Sequence, residues 1–379
     1  MTKKNEFNDC DILFVLGNLS IGGVEKTNIS LANHLAKNYK KKISIVVLTN
    51  INPQLKSLVS KELNLIIFDK TRISQSIFLF LDLIKKIKPK VIFSSMDYIN
   101  VFTIILTKIS LIKTKIIISE RIDQAENIKR LNGIKQRMVY VLFKLIIFRL
   151  YNNADLIHCI SNGVKNSLYK IFGINKKIKV IYNPLNLTPI KKNRKIDNKI
   201  IKKKKYRFNL LTVGRLEKQK NLTCLLKALT IVKSKINFHL NIVGEGSELK
   251  NLINLTKKLE LSKNVTFVGK VIDPRRFYEK ADIFILSSNF EGFGNVIIEA
   301  LAFNCKVISS DCPSGPKEIL ENGKWGKLFP VNNHQKLANL ILDISQKKIF
   351  QNSSIRAQKF SIQKIGFEYK KMFDEVLKK

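Results

Sequence analysis

Glu291 and Glu299, with seven residues between them, bracket a glycine loop in the stretch NFEGFGNVIIEALAFNCKVISSDCPSGPKEIL, residues 289–320. Gly292 and Gly294 permit a tight turn and a close approach of ligand to backbone. A helix expected to begin near Asn295 would aim its first N–H groups and its positive dipole end out of the loop, which suits anionic oxygen. Two carboxylates beside an anion seat look misplaced, because like charges repel. They make sense if the ligand also carries hydroxyls: an ionised carboxylate only accepts hydrogen bonds, and a sugar supplies O–H donors. Upstream, VGRLEKQKN (213–221) sets Arg215 and Lys220 just past another apolar run. A guanidinium forks onto phosphate oxygens and an ammonium adds a point charge. Taken singly, each of the four could be surface charge or helix-end decoration. Together, at successive strand ends, they describe a site for a nucleotide-diphosphate sugar.

Such residues need parallel strands to carry them to one edge. In the first half, short apolar runs at 12–16, 43–49, 63–68, 90–95, 115–119 and 156–161 alternate with stretches of helical length and period, and KVIYNPLN (179–186) closes the half with a Pro-Asn turn. The alternation predicts parallel strands with crossover helices. Residues 191–207, with ten basic residues and one acid, read as a solvated linker. The pattern then restarts: strands at 208–214, 238–246, 265–269, 281–288 and 305–311, helices at 221–233 and 248–259, and a terminal amphipathic helix at 360–379. The fold class is therefore α/β, with two doubly wound Rossmann-like domains (1–190 and 208–360) facing a central cleft. The terminal helix, 361–379, could pack back on the first domain. Ligands of such sheets sit at strand carboxyl ends.

The 379 residues carry 68 Lys plus Arg against 29 Asp plus Glu, net +39. That admits nucleic acid, anionic lipid or an anionic substrate as partner, although a Lys-, Ile- and Asn-rich composition alone would give the same excess. No helix-turn-helix, zinc-finger or RNP-type motif is present, so no nucleic-acid partner is expected. Five scattered cysteines without a C-x-x-C argue against a disulfide scaffold, and a reducing cytosol fits. The four histidines lack metal-ligand spacing, and Asp9–Asp11 (DCD) precedes the first strand, at the wrong end for a strand-end cleft. No metal and no cofactor are expected. The amino terminus, MTKKNEFNDC, does not read as a signal peptide, and no apolar run is long enough to span a membrane. MVYVLFKLIIFRL (138–150) reads as a core helix of the first domain; its alternative is a helix that dips into a lipid surface.

The loop after the first strand, GNLSIGGVEKT (17–27), almost spells a phosphate-binding G-x-x-x-x-G-K-[ST], but Gly23 stands where the lysine belongs and Lys26 arrives three residues late. A P-loop NTPase is thereby disfavoured.

E-G-F-G-x-x-x-x-E-A at 291–300 and G-R-x-x-x-x-K-N at 214–221 resemble the signatures of retaining GT-B glycosyltransferases of family 4. GGVE (22–25), SNGV (161–164), YNPLN (182–186) and VGEG (243–246) match the same family, in order, across nearly the whole chain. ISER (118–121) and DCPSGPKEIL (311–320) further resemble a bacterial subgroup that builds O-antigen, capsule and lipid-linked oligosaccharides. The resemblance implies a hexose or N-acetylhexosamine transferred, with retention, from a UDP-sugar to a growing cell-surface glycan or polyprenyl-diphosphate-linked saccharide. It implies catalytic roles for Arg215 and Lys220 on the donor diphosphate and for Glu291 on the donor sugar's hydroxyls. Glu299 would take the ribose hydroxyls. Backbone of Phe293, Gly294 and Asn295 would meet sugar and phosphate, and that of Gly269 to Val271 the base. Gly22 and Gly23 would let the first domain close over diphosphate and acceptor, so the cation absent from the near-P-loop comes from the other domain. Many relatives carry a histidine in the first domain's catalytic loop. Here Glu120 and Arg121 stand in that loop, and one of them is expected to touch acceptor or donor. The expected location is cytoplasmic, peripheral on the inner face of the membrane, held to anionic lipid by Lys and Arg. Competing classes are a basic nucleic-acid-binding protein and a sugar-nucleotide hydrolase or epimerase of the same fold, which would need no acceptor.

Overall fold

In the computed structural model the described residues are 10–19, 22–129, 133–174, 177–186, 208–346 and 352–378. The expected linker 191–207 and Asp9 of the DCD triplet lie outside them. The chain divides into two compact units, 1–186 together with 360–379, and 187–359.

The first unit is built on a seven-stranded sheet. Its strands are β1 (Ile12–Leu16), β2 (Ile43–Thr49), β3 (Asn64–Lys70), β4 (Val91–Ser95), β5 (Lys115–Glu120), β6 (Leu156–Cys159) and β7 (Ile178–Val180). They lie in the order β3-β2-β1-β4-β5-β6-β7, all parallel. A parallel sheet is covered on both faces, and β1 shows this residue by residue. Ile12, Phe14 and Leu16 join one core with Ile29, Ala32 and Leu35 of the helix Gly23–Tyr39. Leu13 and Val15 join another with Phe80 and Ile84 of the helix Ile77–Ile87. KVIYNPLN, read as a turn, contributes the short edge strand β7 before the turn begins.

The terminal helix Ile362–Leu377 belongs to the first of these cores. Ile365, Tyr369, Met372 and Phe373 pack there, with Phe373 edge-on to Phe14 and Phe93. YNPLN fastens it: Leu185 N–H donates to Phe360 C=O at 2.7 Å and Ile362 N–H to Leu185 C=O at 3.0 Å. Ion pairs Lys41–Asp374 (2.9 Å) and Lys179–Glu375 (2.6 Å) are part-exposed and add little.

The helix Ile134–Tyr151 corrects the reading of 138–150 as a core helix. Ile147 and Tyr151 are buried, but Ile134, Met138, Val139, Leu142 and Ile146 are more than half exposed. Among the described residues no helix is long and apolar enough to cross a membrane.

The second unit carries a six-stranded parallel sheet, β8 (Phe208–Val213), β9 (Phe238–Val243), β10 (Val265–Gly269), β11 (Ile283–Leu286), β12 (Lys306–Ser310) and β13 (Lys327–Phe329), in the order β10-β9-β8-β11-β12-β13. Three residues long, β13 has no apolar run to betray it. The strand order reverses between β8 and β11, the place where open parallel sheets take ligands.

Phe373→Ala would remove a fully buried ring from between two aromatic partners. An expected loss of about 3–5 kcal/mol, read from urea denaturation, would establish that the carboxyl-terminal helix is part of the first unit's core.

Candidate active site

At the carboxyl ends of the second sheet, five loops meet in strand order. β8 runs into Gly214-Arg215, and the following loop reaches Lys220 and Asn221. Asn221 takes a left-handed conformation (φ +46°), which Asn tolerates, and caps the helix Leu222–Lys233 by accepting from Cys224 N–H. Its amide donates to Asn289 Oδ1 at 2.9 Å. Gln219 Nε2 donates to Phe290 C=O, Ser287 Oγ donates to Lys220 C=O, and Asn289 N–H donates to Gln219 C=O. The loops after β8 and β11 are thus sewn together by main chain and amides on either side of the switch point.

The result is an ion pair. Lys220 Nζ lies 2.6 Å from Glu291 Oε1, with side chains 15% and 8% exposed. Ser288 Oγ donates to the same oxygen at 2.6 Å. Arg215 is exposed beside them. A small hollow lies here, lined by Gly214, Arg215, Lys220 and Ser287 together with buried apolar side chains such as Ile242 and Leu286.

Two glycine positions explain why the neighbouring motifs read as they do. A Cβ at Gly244 (φ +142°) would sit 1.9 Å from Gly214 C=O, so the VGEG turn after β9 lies directly under the Arg215 loop. Leu216 N–H donates to Glu245 C=O and Glu248 N–H to Leu216 C=O, completing the clasp. A Cβ at Gly315 (φ +99°) would sit 1.9 Å from Phe293 C=O, so DCPSGPKEIL presses the Glu291 loop from the other side. Glu291 N–H donates to Pro313 C=O at 3.2 Å, and Ser310 Oγ to Ser288 C=O at 2.6 Å.

Phe293 is buried and Gly294 is the left-handed residue that opens the helix Asn295–Ala302. Glu299, one turn into that helix, accepts from Tyr278 Oη at 2.8 Å. Tyr278 is fully buried and stacked on Phe303. Gly269 and Val271 stand at the end of the edge strand β10, and Gly269 C=O accepts from Gly244 N–H, which joins this loop to the rest. Arg215, Lys220, Glu291, Phe293, Gly294, Asn295, Glu299, Gly269 and Val271 therefore all belong to one edge of the second unit.

The first unit's residues are placed differently. Gly22 precedes the helix Gly23–Tyr39, and Glu25, three residues on, leans back over it; a Cβ on Gly22 would lie 2.3 Å from a Glu25 carboxylate oxygen. Glu120 and Arg121, one of which is expected to touch acceptor or donor, are both buried. Glu120 has no exposed surface, and its oxygens accept from Asn100 Nδ2 (2.9 Å), Gln124 Nε2 (3.1 Å) and the Tyr151 hydroxyl. Arg121 is buried and donates to Asn28 (2.9 Å) and Asn183 (3.1 Å), tying its loop to the first helix and to YNPLN. Burial first, then the nearby Asp97 carboxylate, pushes Glu120 up to about 8. The buried His158 is held down to about 3 by desolvation and by Arg121, and sits between Ser119 Oγ and Ile181 C=O. Asn28, Asn100, Gln124, Tyr151 and Tyr278, with Ser288, were not singled out from sequence. Only Ser288, adjacent to the loop in SSNFEG, had a local signal. At the opposite edge, Asp11 of the DCD triplet pairs with Lys90 at 2.8 Å and accepts from Lys42 N–H. Among the described residues no group of three or more His, Cys, Asp or Glu stands ready to hold a metal.

Residues 21–188 match the model of Glycosyltransferase Family 4, and residues 193–360 match that of Glycosyl transferases group 1. The chain belongs to glycosyltransferase family 4. Its fold is GT-B. A Campylobacter jejuni relative, the N-acetylgalactosamine-N,N'-diacetylbacillosaminyl-diphospho-undecaprenol 4-alpha-N-acetylgalactosaminyltransferase, is 33% identical over 229 residues, 59% of this chain and 61% of that protein. A second from the same organism, GalNAc-alpha-(1->4)-GalNAc-alpha-(1->3)-diNAcBac-PP-undecaprenol alpha-1,4-N-acetyl-D-galactosaminyltransferase, is 27% identical over 96% of this chain and 98% of its own. Among solved structures, Anabaena HepE in complex with UDP-glucose superposes with a TM-score of 0.77 over 96% of this chain and 99% of its own, at 18% identity. The lipopolysaccharide outer core galactosyltransferase WaaB does so with 0.70 over 96% and 99%, also at 18%.

The buried carboxyl of this glycosyltransferase has a pH signature. An unfolded Glu120 ionises near the ordinary 4.5 and the folded one near 8. Between those values the unfolded chain binds fewer protons, so the protonated carboxyl's contribution is full below about 4.5 and is lost as pH rises through about 8. Glu120→Gln should flatten that fall; chemical denaturation of both proteins across the window checks it, and parallel curves would refute it.

Proposed function

We propose that the enzyme transfers a hexose or N-acetylhexosamine from a UDP-sugar to a growing cell-surface glycan or polyprenyl-diphosphate-linked saccharide, with retention at the anomeric carbon. The observation that carries this reading is the Lys220–Glu291 pair at the β8/β11 switch point, with Arg215 exposed on the same loop as Lys220. Breaking the anomeric C–O bond puts positive charge on the sugar and negative charge on the diphosphate. Fixed cations facing that developing anion lower the barrier more than they stabilise the ground state. Arg215 and Lys220 are those cations, and with them in place the chemistry asks for no divalent ion. Glu291 accepts hydrogen bonds from sugar hydroxyls, and Glu299, oriented by Tyr278, accepts from the ribose. The main chain at Gly269–Val271 meets the base, and that at Phe293–Asn295 meets sugar and phosphate. On a retaining course the acceptor attacks on the leaving group's face, and the departing phosphate takes its proton.

The two Campylobacter enzymes support a lipid-linked acceptor by their names, and the UDP-glucose complex of HepE supports the nucleotide by its common fold. The first unit presents the acceptor. Its outward apolar side chains Met138, Leu142 and Ile146, on a chain of net charge +39, suit an anionic membrane surface.

A panel of nucleotide sugars, scored by nucleotide release with and without lipid-linked acceptor, tests the reaction. Acceptor-dependent release from one UDP-sugar is expected, and Arg215→Ala should slow it by roughly 10²–10³. Equally fast release without acceptor would make the enzyme a hydrolase. Separately, sedimentation with vesicles should favour anionic over neutral lipid at low salt, and equal binding to both would remove the electrostatic attachment.

A further inference from the structure

We propose that Glu291 competes with the donor's diphosphate for Lys220, so that departure of the sugar loosens the enzyme's hold on the nucleotide. This rests on the reading of the β8/β11 edge as the donor site. The pair is built, not incidental. Lys220 is fixed through its carbonyl by Ser287, its stem lies against Gly214, and its ammonium contacts Glu291 Oε1 at 2.6 Å. Glu291 is fixed through its N–H by Pro313 and through Oε1 by Ser288. Both side chains are mostly withdrawn from water, so each charge depends on the other.

A diphosphate entering beside Gly214 and Arg215 therefore meets a cation already neutralised by the chain. To engage Lys220 it must draw the ammonium from Glu291, which strands a buried carboxylate. A sugar repairs this, because its hydroxyls donate to the carboxylate just released. A nucleoside diphosphate without sugar takes the cation and returns nothing. The site thus favours the intact donor over its own product. Once the sugar has moved to the acceptor, Glu291 reclaims Lys220 and weakens the grip on the leaving nucleotide.

Calorimetric titration of the full chain with UDP decides the matter. Glu291→Gln removes the competitor, so UDP should bind roughly tenfold tighter, while the preference for UDP-sugar over UDP shrinks. Ser288→Ala takes from Glu291 the donor that still serves it once Lys220 leaves, so it should weaken UDP about threefold and keeps the test available should the first variant fail to fold. Unchanged or weaker UDP binding in a folded Glu291→Gln, or unchanged or tighter binding in Ser288→Ala, would overturn the competition. Lys220→Ala serves as the separate control on the site itself: it should loosen UDP, and if it does not, the donor-site reading falls whatever Glu291 does.

Discussion

A lysine and a glutamate, 71 positions apart, meet at 2.6 Å over the reversal point of the second sheet, and the surrounding loops hold them there. Two opposite charges removed from water are stable only while each keeps its partner and the remaining polar groups are satisfied. The main chain of both loops is accordingly pinned by Ser287, Gln219, Asn221, Asn289 and Pro313. A ligand that uses this edge must bring both an anion for the lysine and donors for the carboxylate. A phosphate ester of a sugar brings both.

The glycines around this pair mark contact between backbones. Gly244 and Gly246 lie beneath residues 214–216, and Gly315 lies on Phe293. Three loops from β9, β8 and β11, with the β12 loop beside them, form one slab in which a side chain at those positions would collide with a carbonyl. Close packing transmits strain. Arg215 and Lys220 are therefore only as well placed as the turns that support them, which gives VGEG and DCPSGPKEIL a physical reason independent of any ligand.

The first unit solves a different problem. Its sheet ends in a buried polar knot, with Glu120 receiving Asn100, Gln124 and Tyr151, and Arg121 bridging Asn28 and Asn183. Buried hydrogen-bond networks of this kind rigidify and specify a core, although Arg121 Nε finds no partner in it. Tyr151 belongs to the helix whose outer face is apolar and exposed, and the knot thereby fastens that helix to the strand ends. The histidine, His158, is neutral and enclosed, a packing element beside Arg121 and Tyr369.

Most strands were legible in the sequence because parallel strands are buried on both faces and so appear as near-continuous apolar runs, as at Ile12–Leu16 and Ile43–Thr49. β7 and β13, three residues each at sheet edges, carry too little apolar sequence to stand out. The charged residues of these loops stand out in the sequence because glycine turns follow the strands directly. What they touch does not. Sequence assigned Lys220 to phosphate and Glu291 to sugar separately, and only the β8–β11 adjacency puts them in contact. The resemblance pointed to Glu120 or Arg121 as a substrate contact; the local sequence does not show that both are buried among Asn, Gln and Tyr side chains from distant segments. The 138–150 helix looked like core because its composition is mostly apolar despite Lys144 and Arg149, and tertiary packing alone decides which of its faces a neighbour covers. Local pattern thus determined the elements, the family and the identity of the charged groups. Which charges face each other, and which face water, is set by strand order, because that order brings together residues that no local spacing relates.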